Sequence, residues 1–176
     1  EIVIDLDPGA AFGTGAHATT AMCLRWLEHI VCPKMRVYDV GCGSGILAIA
    51  ASKLGAGEVI AMDDDPVAVT VAEENIHANH VGNVAVIESD LLSVCAGLEP
   101  AELITANIVA DIIIRLFDQL DAHLAPGGVL LASGIIEDRI ADVERAAAEH
   151  GYAVLDMTCE KEWAAMIIRR RTEAGL

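Results

Sequence analysis

The residues of this chain best suited to chemistry are a glycine-rich turn and an aspartate that follows about twenty residues later. The turn, GCGSG, contains Gly41, Gly43 and Gly45 after one apolar run, and Asp63 ends the next apolar run. Glycines at the carboxyl end of a strand let a ligand approach the main chain, because a Cβ atom would fill that space. A carboxylate at the end of the neighbouring strand is placed to accept hydrogen bonds from two vicinal ribose hydroxyls. The pair therefore predicts a site for a nucleoside cofactor.

The spacing of the glycines distinguishes between two kinds of nucleoside cofactor. A dinucleotide-binding turn has the pattern GxGxxG and points a helix amino terminus at a pyrophosphate. Here the pattern is GxGxG, followed directly by Ile46, so the third glycine comes one residue early. This spacing favours S-adenosylmethionine, which has no phosphate. An NAD-dependent oxidoreductase is the alternative, and the lack of a second mononucleotide-binding half in the sequence disfavours it.

Two polar residues outside the turn are further candidates for the site. Asn107 ends a predicted strand beside the point where such sheets bind ligands, although asparagine is also common in turns. Its side-chain carbonyl could orient an acceptor amine. His17 lies in the segment FGTGAH, which either folds over the methionine end of the cofactor or has a structural role only.

Other reactive residue types do not form a recognisable site. His77 and His80 are three residues apart on one predicted helix, but no further ligands cluster with them, so we expect no metal. Cys42 occupies a position in the turn where a small residue fits, and we expect no catalytic thiol there.

Strands and helices alternate along the chain, which indicates βαβ units and one parallel sheet. Asp65 and Pro66 have the residue types of an N-cap and a first helical position. The two last strands have no helix between them and predict an antiparallel hairpin that closes the sheet. The predicted strands are 36–41, 58–63, 83–88, 102–107, 129–133, 152–160 and 163–171; the helices are 18–30, 45–55, 65–80, 109–124 and 136–149; 89–101 is a loop and 125–128 (APGG) a turn.

Composition and charge limit the classes of function. A chain of 176 residues buries one sizeable core, and no apolar run is long enough to span a membrane. The net charge of −16, from 27 acidic and 11 basic residues, repels phosphate backbones, so we expect no direct contact with nucleic acid. Five cysteines without a CxxC pair fit the reducing cytoplasm, with neither zinc nor disulfides implied.

Segments spread over nearly the whole chain resemble one bacterial family. They are LDPGAAFGTGAHATT (6–20), DVGCGSGILAIAASKLGA (39–56), DDDP (63–66), ANIVA (106–110), SGI (133–135) and EKEW (160–163). In this order they are similar to the catalytic domain of the ribosomal protein methyltransferases that modify the eleventh protein of the large subunit. The first segment is the most specific, because generic methyltransferases lack it.

The resemblance implies an α/β fold of the class I Rossmann-like methyltransferase type, with a central, mainly parallel seven-stranded sheet, helices on both faces and a C-terminal antiparallel hairpin. It implies S-adenosylmethionine as methyl donor, and lysine side chains and an α-amino group of the ribosomal protein as acceptors. By motif, it assigns cofactor contacts to Thr20, Gly41, Asp63 and Asn107.

In that family a separate amino-terminal domain grips the ribosomal protein. We therefore expect residues 1–176 to form the catalytic domain alone, as a monomer that modifies its protein substrate poorly by itself. Two alternatives stay open: a methyltransferase that acts on another protein or on a small molecule, and a cofactor-binding module that is inactive without its capture domain.

Overall fold

A single mixed sheet organises the chain in the computed structural model, which describes residues 1–7 and 15–172. The seven strands lie in the order β3-β2-β1-β4-β5-β7-β6, and all neighbours are parallel except at β7, which runs against both β5 and β6. The strands are β1 Arg36–Val40, β2 Glu58–Asp63, β3 Val84–Glu88, β4 Ala101–Asn107, β5 Leu124–Ile136, β6 Tyr152–Glu160 and β7 Trp163–Arg170. The helices are α1 Ala18–Ile30, α2 Ile46–Lys53, α3 Pro66–Ala78, α4 Ala110–His123 and α5 Ile140–Glu149.

The strand order places a crevice beside β1. The chain builds β1, β2 and β3 outward in one direction and then returns to place β4 on the other side of β1. The connections after β1 and β4 therefore diverge at the carboxyl edge, which is where open α/β sheets bind ligands. The glycine turn follows β1 and Asn107 ends β4, so both flank this crevice.

Helices cover both faces of the sheet, and the alternation of side chains along the strands explains how. Tyr38, Ile104 and Leu130 point to one face and Val37, Leu103 and Leu131 to the other. The first face packs against Ile113, Leu116 and Val143 of α4 and α5, and the second packs against Leu27 and Leu47 of α1 and α2. Because the central strands are buried on both faces, their sequences are continuous apolar runs.

The observed architecture confirms the predicted fold class, including the C-terminal hairpin. Helix α1 has the predicted bounds, and in α3 the Asp65 side chain accepts a hydrogen bond from the Val67 N–H while Pro66 opens the helix.

Two predicted boundaries were wrong. Residues 125–128 do not form a separate turn before a strand, because β5 already begins at Leu124 and its register against β4 shifts between Ala101 and Leu103. The predicted helix 136–149 starts later, since Ile136 ends β5 and a short 3-10 turn, Glu137–Arg139, precedes α5. The predicted loop 89–101 contains a second 3-10 turn, Ser93–Cys95.

All five cysteines lie in the described ranges and are free thiols. Among residues 1–7 and 15–172, no helix is both long and apolar enough to cross a membrane.

Candidate active site

A cavity of about 540 Å³ opens at the carboxyl edge of the sheet. Its volume lies within the range typical of small-molecule sites. The predicted residues His17, Thr20, Gly41, Gly43, Asp63 and Asn107 all line it, together with side chains from the loops after β2, β3 and β4. The fold therefore brings together residues that are spread over more than half of the sequence.

The glycine turn forms the floor of the cavity, but its glycines have different roles. All three have positive φ angles, between 53° and 81°, which only glycine adopts without strain. A Cβ atom on Gly41 would lie 2.4 Å from the Cγ2 atom of Ile108, so the space that Gly41 leaves is filled by a protein side chain and not by a ligand. The predicted reason for a glycine at Gly41 was therefore wrong, while its contact with the cofactor stays a prediction, since Gly41 lines the cavity.

Gly45 does not line the cavity. It is the N-cap of α2 with φ of 81°, and a Cβ atom there would lie 3.2 Å from the Cβ of Ala72 on α3. Its observed role is to let α2 and α3 pack closely behind the turn.

Asp63 is fixed by main-chain donors at the end of β2. Its Oδ2 accepts a hydrogen bond from the Gly43 N–H at 2.9 Å, and its Oδ1 accepts one from the Asp65 N–H at 3.0 Å. Each carboxylate oxygen can accept a further bond. The half-buried carboxylate is thus held in one orientation at the cavity wall while it retains acceptor capacity for a ligand.

Asp39 is a site residue that the sequence patterns did not identify. It is 1% exposed and lines the cavity from β1, one residue before the end of that strand. Its Oδ1 accepts a hydrogen bond from the Thr105 hydroxyl at 2.7 Å, whereas its Oδ2 is buried without a partner. Burial raises the pKa of Asp39 to about 7, although the Thr105 hydroxyl and the nearby main chain of Ala48 favour the ionised form; the charge of Asp63 adds a smaller rise. A buried acceptor without a donor is a place where a ligand with N–H groups gains most.

Asn107 and Thr20 meet on the opposite side of the glycine turn. The Asn107 Nδ2 donates to the Thr20 Oγ1 at 3.3 Å, and both residues line the cavity. Thr20, whose cofactor contact was predicted from its motif, is 1% exposed and lies in the first turn of α1.

Ile108, the residue after Asn107, is held in place by contacts with Ser133 and Gly134. The Ile108 N–H donates to the Ser133 carbonyl at 3.0 Å, and a Cβ atom on Gly134 would lie 2.5 Å from the Ile108 carbonyl oxygen. Gly134 has φ of 80° and itself lines the cavity. Ser133 and Gly134 of the segment SGI therefore determine the position of the backbone directly after Asn107.

His17 is the N-cap residue of α1 and contacts a tryptophan. Its Nδ1 lies 2.8 Å from the Thr19 Oγ1, and its ring packs edge-on to Trp163 with the centroids 5.2 Å apart. Both rings line the cavity. The rest of the predicted segment FGTGAH up to Thr14 lies outside the described residues. Trp163 reaches this edge because β7 runs antiparallel, so that its amino end lies here.

The loop after β3 closes the other end of the cavity. Ser89 organises this loop, because its hydroxyl donates to the Leu91 carbonyl at 3.0 Å and accepts from the Val94 N–H at 3.1 Å. Leu91 has φ of 51°, an uncommon conformation for a branched side chain, and it lines the cavity. Arg115 and Asp90 form an exposed ion pair at 3.4 Å on the rim.

Thiol and metal chemistry have no support in the described part of the chain. Cys42 is 7% exposed, and burial raises the pKa of its thiol well above the ordinary value, so it stays protonated. His77 and His80 are not brought together with further ligands, since residues 1–7 and 15–172 contain no group of three or more side chains suited to a metal.

The sheet order, the antiparallel hairpin and the crevice at the glycine turn define a class I methyltransferase fold. The chain matches the family model described as ribosomal protein L11 methyltransferase (PrmA) over residues 1–171, and it belongs to that family. It is 53% identical over 171 residues to the ribosomal protein L11 methyltransferase of Caldanaerobacter subterraneus subsp. tengcongensis, which covers 97% of this chain and 54% of that protein.

Solved structures with the same fold agree with this assignment. The crystal structure of ribosomal protein L11 methylase from Lactobacillus delbrueckii subsp. bulgaricus superposes with a TM-score of 0.88 at 39% identity, over 96% of this chain and 86% of that one. The 16S rRNA N2 G1207 methyltransferase (RsmC) of T. thermophilus, in complex with AdoMet and guanosine, shares the fold alone, with a TM-score of 0.74 at 19% identity over 92% of this chain and 45% of that one. The chain spans about half the length of the curated relatives that it matches.

Proposed function

We propose that this chain transfers methyl groups from S-adenosylmethionine to amino groups of ribosomal protein L11, namely lysine side chains and an α-amine. Family membership supports the reaction class and the protein substrate. The observation that carries the proposal is the cavity itself, because it joins two carboxylates on one side of the glycine turn to a neutral amide acceptor on the other.

The described residues fit S-adenosylmethionine. Asp63 is oriented to accept hydrogen bonds from the two ribose hydroxyls, and the unpartnered Oδ2 of Asp39 is suited to the ammonium group of the methionine portion. The loop that Ser89 organises, with Leu91, would hold the adenine. His17 and Thr20 would contact the methionine end. When bound, this cofactor supplies a methyl group on a positively charged sulfur, ready for in-line displacement.

The chain's own contribution to the transfer is mainly positional. Asn107 would direct its Oδ1 at the acceptor amine and so align the nitrogen lone pair with the methyl group. Thr20 holds the amide of Asn107 in that orientation. The amine must be neutral to react, and the apolar surroundings of Ile108 and Val109 would lower the pKa of a lysine from its reference of about 10.4. We assign no general base.

The setting of the reaction follows from charge and cysteine content. The net charge of −16 favours encounter with a basic protein and opposes direct contact with nucleic acid. The free cysteines fit the reducing cytoplasm. We infer that the chain acts there as a monomer, with residues 1–176 forming one catalytic domain.

Two measurements test the proposed function. Titration calorimetry should show binding of S-adenosylmethionine and of its demethylated product, and no binding of NAD. Mass spectrometry of ribosomal protein L11 incubated with the chain and the cofactor should then show added methyl groups. NAD binding without S-adenosylmethionine binding would favour an oxidoreductase, and cofactor binding without transfer would favour a binding module.

A further inference from the structure

Two buried asparagines on α3 hold the first residues of the chain. Asn75 and Asn79 are 2% and 7% exposed, and they lie one helical turn apart on the same face of the helix. Buried amide side chains are costly unless their donors and acceptors are paired. Here both are paired with main-chain atoms; most of these belong to other parts of the fold, and the Asn79 Nδ2 also donates to the Asn75 carbonyl at 2.8 Å.

Asn79 binds residue 5 in the way that a neighbouring strand would. Its Oδ1 accepts the Asp5 N–H at 3.0 Å, and its Nδ2 donates to the Asp5 carbonyl at 2.6 Å. The segment 1–7 is further anchored by Lys53, whose Nζ donates to the Val3 carbonyl at 2.6 Å. Ile4 and Leu6 pack against the apolar cluster under α1 and α2.

Asn75 makes a different pair of bonds. Its Oδ1 accepts the Asp7 N–H at 3.1 Å, and its Nδ2 donates to the Ser44 carbonyl at 2.9 Å. Ser44 is the residue between Gly43 and Gly45 in the glycine turn and is 3% exposed. One side chain thus connects the segment 1–7 to the floor of the cavity. Among the described residues, His17 and Thr20 of the following segment line the cavity.

Only an amide performs both functions at this position. A carboxylate in its place would still accept the Asp7 N–H, but it could not donate to the Ser44 carbonyl and would repel it. Protonation of that carboxyl would restore a donor. An alanine would remove both of these hydrogen bonds.

We propose that Asn75 is a positioning residue that fixes the glycine turn for cofactor binding and ties the turn to the segment 1–7. This inference rests on the proposed function, since the affinity in question is that for S-adenosylmethionine. Asn79 anchors the same segment but does not bond to the turn, so its contribution is to stability alone.

The test compares Asn75→Asp with two matched controls in the full chain. Asn79→Asp makes the same substitution one turn along the helix, and Asn83→Ala removes an asparagine whose Nδ2 donates to the Ala56 carbonyl at 2.8 Å, near the amino ends of β2 and β3. Calorimetry gives the Kd for S-adenosylmethionine, thermal melts give stability, and assays at saturating cofactor give kcat.

We expect Asn75→Asp to raise the Kd by about tenfold or more at pH 8, which is the cost of one unmade buried hydrogen bond. Asn79→Asp and Asn83→Ala should lower the melting temperature but change the Kd by less than about threefold, well below the effect of an unmade buried bond. The ratio of the Kd of Asn75→Asp to that of the parent should fall as the pH is lowered towards 5, because the protonated carboxyl regains a donor. At saturating cofactor, kcat should stay close to that of the parent.

Other results would overturn the inference. If Asn75→Asp binds like the parent, or if Asn79→Asp weakens binding equally, Asn75 has no positioning role of its own. If Asn75→Asp does not fold, Asn75→Ala is measured against the same criteria. Failure of the parent chain to bind S-adenosylmethionine would overturn the proposed function and this inference with it, whereas a binding parent with an unaffected variant overturns the inference alone.

Discussion

The two ends of the cavity are built from different chemistry. At the end formed by β1 and β2, the polar groups are carboxylates, and Asp63 is held by main-chain N–H groups while Asp39 is buried. At the end formed by β4, β5 and β7, the side chains are neutral or apolar, with Asn107 oriented by Thr20 and Trp163 beside His17. Under the proposed function, carboxylates suit the ribose hydroxyls and the positive charge of S-adenosylmethionine, whereas an amine that must lose its proton needs neutral surroundings. The proposal therefore assigns the methyl donor to the first end and the acceptor to the second.

A large effect on stability is expected from filling the space beside Ile108. Gly134→Ala places a Cβ atom 2.5 Å from the Ile108 carbonyl oxygen in a left-handed conformation, so it should cost strain, displace Ile108 and disturb Asn107. Gly127→Ala is the matched control in the same strand, since Gly127 also has a positive φ of 76° but no heavy atom within 4 Å of the added Cβ. We expect Gly134→Ala to lose about 1–3 kcal/mol more unfolding free energy than the control, as overpacking does. Equal losses of unfolding free energy in the two variants, measured by denaturant titration, would show that Ile108 can move aside at little cost.

A large effect on the donor end alone is expected from Asp63→Ala. The bound ribose would lose two charge-assisted hydrogen bonds of roughly 1.5–3 kcal/mol each, so the Kd for S-adenosylmethionine and its product should rise about a hundredfold or more. Asp64→Ala removes the same charge from the adjacent, exposed residue and should change the Kd far less. Unchanged affinity in Asp63→Ala, measured by calorimetry, would refute the assignment of the ribose.

At the acceptor end, Asn107→Ala should lower turnover without a comparable loss of cofactor affinity. The amide is half-buried at the cavity wall, so its removal should cost little stability but misplace the acceptor amine. We expect kcat to fall by about tenfold to a hundredfold at saturating cofactor. Equal rates for variant and parent would remove Asn107 from the reaction, and thermal melts of both proteins show whether folding has been affected.

A pH dependence is also expected at the donor end. Since the pKa of Asp39 is about 7 in the folded chain and 3.8 is its ordinary value, the folded chain binds a proton there that the unfolded chain has lost. Stability should therefore fall as the pH rises from about 4 to 7, by at most about 1.4 kcal/mol per pH unit, and level off above 7. Asp39→Asn should remove this contribution.

Cofactor affinity should depend on pH in the opposite direction. A bound ammonium group favours the ionised form of Asp39, so the affinity should increase as the pH rises towards 7, by up to about tenfold per pH unit, and level off above it. Calorimetry at several pH values on the parent and on Asp39→Asn checks this. If the cofactor affinity depends on pH in the same way in both proteins, Asp39 does not contact the methionine portion.

The order of elements and the main site residues were predictable because they depend on local pattern. The carboxyl ends of parallel strands share one edge, so Gly43, Asp63 and Asn107 could be brought together from the sequence before the sheet order was known. The same pattern placed Gly45 in the site, but packing of α2 against α3 determines its position.

What could not be predicted depends on contacts between distant segments. The approach of Gly41 and Gly134 to Ile108 involves loops that are far apart in sequence. Asp39 had a signal that was overlooked, since a single carboxylate in a strand buried on both faces is unfavourable unless it has a function. Trp163 was missed because its place depends on the direction of β7, which sends an amino end to an edge otherwise formed by carboxyl ends.

The reversed direction of β7 also bears on how this scaffold can acquire new substrates. It brings the tip of the β6–β7 hairpin, Lys161 and Glu162, to the mouth of the site, where the Glu162 carbonyl accepts the Glu137 N–H at 2.8 Å. Hairpin tips tolerate insertions and changes of sequence that strands do not. The wall beside Trp163 can therefore diversify independently of β1 and β2, which carry Asp39 and Asp63. One sheet thereby combines a carboxylate-lined end of the cavity with an entrance bounded by a hairpin.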